Sequence, residues 1–254
     1  ARLLRKFSER PLIDSDEINA RLTAVEELNK QAMIRDEIRE YLRPVYDLER
    51  LISRISYQSA NPRDLIAFKT SLEMLPFIKQ LLNSFEGGLL GEIQEELDAL
   101  EDLYGLIDAA INEDPPLAMK EGGIIRDGYD ETIDQYRQAK HEGKQWISEL
   151  EASEREKTGI RNLKIKYNKV FGYYLEVTNS FKNLVPDHYT RKQTLANAER
   201  YITPRLKELE DMILGAEDKL YALEYDKFCT IRDTIAGEVL RIENTAKAIA
   251  KLDV

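Results

Sequence analysis

Lys164, Lys166 and Asn168 occupy alternate positions of the stretch Leu163-Lys164-Ile165-Lys166-Tyr167-Asn168, and Lys169 follows at once. In a strand, successive side chains leave opposite faces, so this spacing sets two lysines and an asparagine on one face and turns Leu163, Ile165 and Tyr167 inward. Arg191-Lys192, Asn197 and Arg200 come back in the segment that returns. Lysine and arginine neutralise phosphates, and an asparagine amide donates to a phosphate or sugar oxygen without reading a base. The pattern therefore points to a polyanion held by its backbone. The plainer reading is that alternating lysines only keep an exposed strand soluble.

Charge distribution favours the first reading. The chain of 254 residues has a net charge of -10, yet from Thr158 to Arg205 nine Lys/Arg face three acids, a local +6 that leaves -16 for the rest. A basic island on an acidic scaffold marks one surface for an anionic partner. Other chemistry finds little support. Cys229, the one cysteine, reads as a structural thiol beside Phe228 and excludes an internal disulfide, which fits a reducing cytoplasm. His141 and His188 lie in unlike segments without ligand partners, so no metal set forms. Gly143-Lys144-Gln145 lacks the glycine spacing and the Ser/Thr of a phosphate loop. Tyr173 and Tyr174 have the type of stacking platforms, but one of them must face inward, so core packing is the expected role. Glu95-Glu96 and Glu208 to Asp211 read as solvated helix faces. With no nucleophile, base or metal constellation, the chain reads as non-enzymatic.

The elements that must position the basic island are helical. Asp14 or Ser15, Asp47, and Asn61 followed by Pro62 are helix starts. Gly87-Gly88, Asp114-Pro115-Pro116 and Glu121-Gly122-Gly123 are loops. Ile133, Tyr136, Lys140, Gly143, Ile147 and Leu150 step by three and four through a helix expected from about Asp130 to Lys157. A second helix opens at Thr203-Pro204 and keeps a seam through Leu206, Leu209, Ile213, Ala216, Leu220 and Leu223. Both should reach roughly 40 to 45 Å at 1.5 Å per residue. The fold expected is mainly α: a helical core bundle with two long antiparallel helices carrying a small mixed β-rich subdomain at their tip. A hairpin over residues 163–177 and short strands near 189–194 and 200–202 would build that sheet. No run approaches the roughly 18 apolar residues of a membrane span. Both ends read as interrupted helical patterns, as an internal piece of a longer chain would.

Several separated stretches, in order, resemble the MutS family of DNA mismatch-repair proteins. They are Asp47-Leu48-Glu49-Arg50-Leu51, Asn61-Pro62-Arg63-Asp64-Leu65, Gly122 to Tyr129, Phe171-Gly172-Tyr173-Tyr174-Leu175, Arg191-Lys192-Gln193-Thr194-Leu195 and Asn197 to Ile202. The resemblance covers nearly the whole chain. It implies a discontinuous core and lever at 1–143 and 204–254, with a clamp inserted at 144–203. It also implies sequence-independent contact to the backbone of double-stranded DNA through Lys164, Lys166, Asn168, Lys169, Lys192, Asn197 and Arg200, the hairpin tip and Asn197 foremost. The family's mismatch-reading, connector and ATPase domains have no counterpart here, and no Walker motif is present. No cofactor is therefore expected in this piece, while the parent protein would bind ATP and Mg. A second MutS subunit and a MutL-type partner would be the parent's associates, in the cytoplasm and on the nucleoid. The rival readings are a helical strut that docks an acidic protein without touching nucleic acid, and an arm that grips structured RNA.

Overall fold

Local side-chain caps mark the starts of five helices in the computed structural model, which describes residues 2–254. The elements run α1 Arg2–Glu9, α2 Ser15–Lys30, α3 Ala32–Leu42, α4 Leu48–Ser56, α5 Pro62–Leu82, α6 Gly88–Glu96, α7 Glu101–Ala110, α8 Glu131–Thr158, β1 Lys164–Asn168, β2 Gly172–Thr178, β3 Thr190–Thr194, β4 Ala198–Ile202, α9 Pro204–Gly237 and α10 Val239–Asp253. Asp14 accepts from the amides of Asp16 and Glu17, and Asp47 from that of Arg50. Asn61 and Asp64 cap each other's amides reciprocally in front of Pro62. Asp130 caps α8, and Gly159 closes it in the left-handed conformation. Thr203 Oγ1 accepts from Leu206 N at 3.2 Å ahead of Pro204.

The chain forms two compact units. One takes in residues up to Tyr129 together with Tyr225–Val254; the other is Asp130–Glu224. In the first unit, α5 buries Leu65, Phe68, Leu72, Leu75, Ile78 and Leu82 along one continuous face. At 25 cal/mol per Å², full burial of each such side chain contributes about 1.5–3 kcal/mol. Its other helices add Ile55, Ile93, Ile107, Phe228 and Ile242 to the buried apolar residues of this unit, and Leu97 joins them from just beyond α6. α10 is held there by polar ties: Arg241 reaches Asp98, Asp102 and Glu238, and Thr245 Oγ1 bonds both the amide and the carbonyl of Asp98. Asp98 also accepts from the amide of Leu100, a buried leucine at φ 52°.

In the second unit α8 and the first part of α9 run antiparallel. Their contacts step down one helix and up the other: Arg137 with Glu224, Lys140 with Glu217 and Tyr221, Gly143 with Ile213. α8 has 28 residues and α9 has 34, so the matched lengths expected from sequence do not hold. α9 outruns its partner because it continues, without a break, into residues that belong to the first unit.

The four strands form one sheet in the order β1-β2-β4-β3, with every neighbouring pair antiparallel. A mixed sheet was expected; two hairpins laid side by side produce none of the parallel pairs that a mixed sheet needs. One face covers a cluster of Ile160, Leu163, Leu175, Val177, Tyr189, Tyr201 and Leu206, with Ile165 and Tyr173 packed against it. Among the described residues, no helix is long and apolar enough to cross a membrane.

Candidate nucleic-acid interface

The alternation expected of β1 is present. Leu163 is buried, Ile165 half-buried, and Lys164 and Lys166 are exposed on the opposite face. Tyr167 departs from the expectation: it is 48 % exposed and leans on Tyr173, with ring centroids 4.9 Å apart. The sheet runs out of apolar cover there. Tyr173 and Tyr174 are both packed, on opposite faces; Tyr174 is the more buried, under the Arg200 guanidinium at 4.4 Å.

The hairpin turn is not a projecting tip. Gly172 lies against the carboxylate of Glu210, and the Tyr173 amide donates to that same carboxylate, which Lys207 also holds. The β1–β2 turn, with Asn168 and Lys169, is thus drawn back beside the second turn of α9. Asn168 Oδ1 is spent on the turn, accepting from Val170 N at 2.8 Å. The end of the sheet away from this anchor lies about 20 Å off along β2, at ~3.3 Å per residue. There the β3–β4 turn is tied to the end of β2: Asn179 N donates to Asn197 O at 3.1 Å, and Asn179 Nδ2 to Ala196 O at 3.0 Å. Asn197 is exposed at this end, and Lys164 opens β1 toward it.

The seven residues singled out from sequence do not converge on one patch. Lys164 on β1 and Lys192 on β3 stand on opposite edges of the sheet, three strand spacings or roughly 14 Å apart. Lys166, beside Lys164 on the β1 edge, and Arg200, on the inner strand β4, share one carboxylate. Lys166 Nζ is 2.6 Å from Glu176 Oε1, and Arg200 Nε is 3.5 Å from Oε2. Arg200 also donates to Gln193 Oε1 at 2.8 Å. Sequence reasoning missed this neutralisation because Lys166 and Glu176 meet only through the cross-strand register that pairs residues 166 with 174 and 164 with 176. It missed a second carboxylate too. Glu199, buried on the other face, is bonded by the Tyr201 hydroxyl and faced by Arg191 at 3.5 Å and Lys182 at 3.8 Å.

Each of these two carboxylates is therefore shared by two cations and leaves a surplus positive charge. Arg161, Lys164, Lys169 and Lys192 have no carboxylate within 4 Å among the described residues. The sheet keeps most of its positive charge after internal pairing. The Lys166 hydrogen bond, opposed by partial burial and helped by Arg200, holds Glu176 below its ordinary range. A depressed carboxylate contributes stability that is present above its unfolded value of about 4.3 and lost as pH falls through the folded one. The tyrosine near-UV circular dichroism of the sheet should accordingly hold from pH 7 to about 5 and decline below about 4. Glu176→Gln should remove part of that decline; an identical acid profile in the variant would contradict the assignment.

The chain matches the family profile of MutS domain III over residues 1–254. It is 63 % identical over 253 residues to the DNA mismatch repair protein MutS of Lachnoclostridium phytofermentans, and 59 % identical to that of Caldanaerobacter subterraneus subsp. tengcongensis. The MutS of Ruminiclostridium cellulolyticum is 54 % identical. Each match takes in all of this chain but only 27 to 29 % of the relative, so the chain spans under a third of the length of these proteins. With a match from the first residue to the last, and identities above half along the same span, the chain belongs to the MutS family, as its domain III.

Proposed function

We propose that this chain is the DNA-holding arm of a mismatch-repair protein, its sheet acting as a clamp on the backbone of duplex DNA without reading sequence. The observation that carries this reading is the positive charge left on the sheet after the Glu176 and Glu199 carboxylates are each shared by two cations. Lys164, Lys192 and Asn197 are the strongest contacts, because none has its side chain committed to a partner and all are exposed. Lys169 and Asn168 would touch DNA only if the duplex passes along the α9 side of the sheet. Lys166 and Arg200 reach phosphate as members of the Glu176 cluster. The clamp is 144–203, and α8 with α9 serves as the lever that transmits nucleotide state from an ATPase domain elsewhere in the full-length protein. ATP, Mg, a second subunit and a MutL-type partner belong to that whole protein, working in the cytoplasm on the nucleoid; this piece catalyses nothing.

Titration of the chain against paired and singly mismatched duplexes tests the reading. About four phosphate contacts give a log–log salt slope near -3.6, at -0.9 per contact, with equal affinity for both duplexes. Charge reversal at Lys164, Lys166 and Lys169 should abolish crosslinking to DNA. Selective mismatch binding, or crosslinking indifferent to these reversals, would sink it. A second reading, a strut that docks another protein, draws support from the pairing of Lys166 and Arg200 with Glu176; unchanged crosslinking is its signature.

A further inference from the structure

Glu199 is unusual among the acids of the second unit. Its side chain is only 6 % exposed, yet two cations with side chains 55 % and 61 % exposed lean toward it from different elements. Its two oxygens divide the work. Oε2 takes the Tyr201 hydroxyl, while Oε1 faces both Arg191 Nη1 and Lys182 Nζ. At 3.5 and 3.8 Å, both cations stand beyond the roughly 2.7–2.9 Å of a closed charge-assisted hydrogen bond. They are oriented by the carboxylate without being used up by it.

Each element is itself fixed. Lys182 sits in the short 3-10 turn Asn179–Leu184, whose Phe181 and the following Val185 pack on the sheet's apolar cluster. Arg191 lies on β3 directly across from Tyr201. Because both headgroups approach one oxygen atom, they are no more than about 7 Å apart. A guanidinium presents five donors and an ammonium three, so most of their hydrogen-bonding capacity stays turned to solvent. Two cations at that spacing suit the two free oxygens of one phosphodiester. None of these three side chains belongs to the face that carries Lys164, Lys166 and Arg200: Glu199 pairs with Val177 on the apolar side, and Arg200 with Glu176 on the other.

We infer that Lys182 and Arg191 form a second phosphate-binding site, on the opposite side of the sheet from Lys164, with Glu199 as the positioning residue beneath it. The inference rests on the duplex-clamp reading above and deepens it, since a sheet with phosphate sites on both sides can follow a groove with a strand on either flank. A sheet that only attracted DNA through its local positive charge would need no such carboxylate, and the two ideas give opposite signs for one substitution.

Glu199→Gln removes a negative charge and keeps an acceptor for Tyr201. If the carboxylate only opposes DNA, the variant binds a fully paired duplex more tightly. If it positions the two cations, the variant binds several-fold more weakly despite its added positive charge. Lys182→Ala with Arg191→Ala should lower the salt slope by about 0.9, for the one phosphate that the pair holds, and Arg191→Lys should recover only part of the loss, since lysine cannot reproduce the fork. Tighter binding by Glu199→Gln, or an unchanged slope in the double variant, overturns the inference while leaving the clamp itself standing. Should Glu199→Gln disturb the fold by circular dichroism, the slope of the double variant decides alone. Failure of the unaltered chain to bind any duplex defeats the clamp reading, and the second site falls with it.

Discussion

Replacing Arg137 by methionine is expected to destabilise the second unit by about 3 kcal/mol or more, the largest single-site effect on this unit. Glu224 is fully buried on α9, and its carboxylate is bonded by the Arg137 guanidinium, which is itself only 21 % exposed. Taking a guanidinium away from a buried carboxylate costs about 3–5 kcal/mol, because the charge that stays behind keeps its desolvation and has lost a strong partner that water does not replace. The pair as a whole is another matter. Its Coulomb attraction is offset by the desolvation of both ions, so Arg137→Met together with Glu224→Leu should return most of the lost stability. Urea unfolding followed by far-UV circular dichroism reads both. A single variant no worse than the double would mean that the pair is not the buried tie between α8 and α9 described above. The same logic explains why this seam mixes Arg137, Lys140, Glu217 and Glu224 with Gly143 and Ile213. Ion pairs that match only in one alignment penalise slippage of two helices whose apolar residues alone would tolerate several registers.

How much of this was legible from sequence follows from the range of each interaction. Caps at Asp14, Asp47, Asn61, Asp130 and Thr203 act within three residues, so the helix starts are written locally. The period-two alternation of residues 163–168 likewise announces β1, and its outward lysines are where the pattern puts them. The direction of the hairpin is different. It is set by Glu210, thirty-seven residues beyond Tyr173, and no periodicity in either segment encodes that meeting. The ends of α9 and α10 show the same limit: the break after Gly237 is stabilised by Arg241 reaching Asp98 and Asp102 across 143 and 139 residues. At the candidate interface, sequence supplied the cations but not their neutralisation. Counting charge along the chain treats Glu176 and Glu199 as two acids among many, whereas the fold sets each between two cations and makes them the organising centres of two clusters.

The hairpin anchor also gives a matched pair of substitutions with different expected outcomes. Gly172 has φ +76° and Gly159 has φ +72°, so each holds a left-handed conformation that a side chain disfavours by roughly 1 kcal/mol. Their surroundings differ. A Cβ at Gly159 would meet nothing within 4 Å, while one at Gly172 would run into the Glu210 carboxylate. A glutamate is normally flexible enough to step aside, but this one is held by the Tyr173 amide and Lys207. Moving it leaves a part-buried amide without its acceptor, at a further cost of about 1–3 kcal/mol. Gly159→Ala should therefore lower stability by about 1 kcal/mol and Gly172→Ala by about 2–4. Glu210→Ala should narrow the gap between the two glycine variants, since it removes the obstruction along with the acceptor. Equal costs for Gly172→Ala and Gly159→Ala in the unaltered background would show that the β1–β2 turn does not rest on α9. Lys169 and Asn168 would then be free to act at a projecting tip after all, and the balance of DNA contacts would shift back toward that end of the sheet.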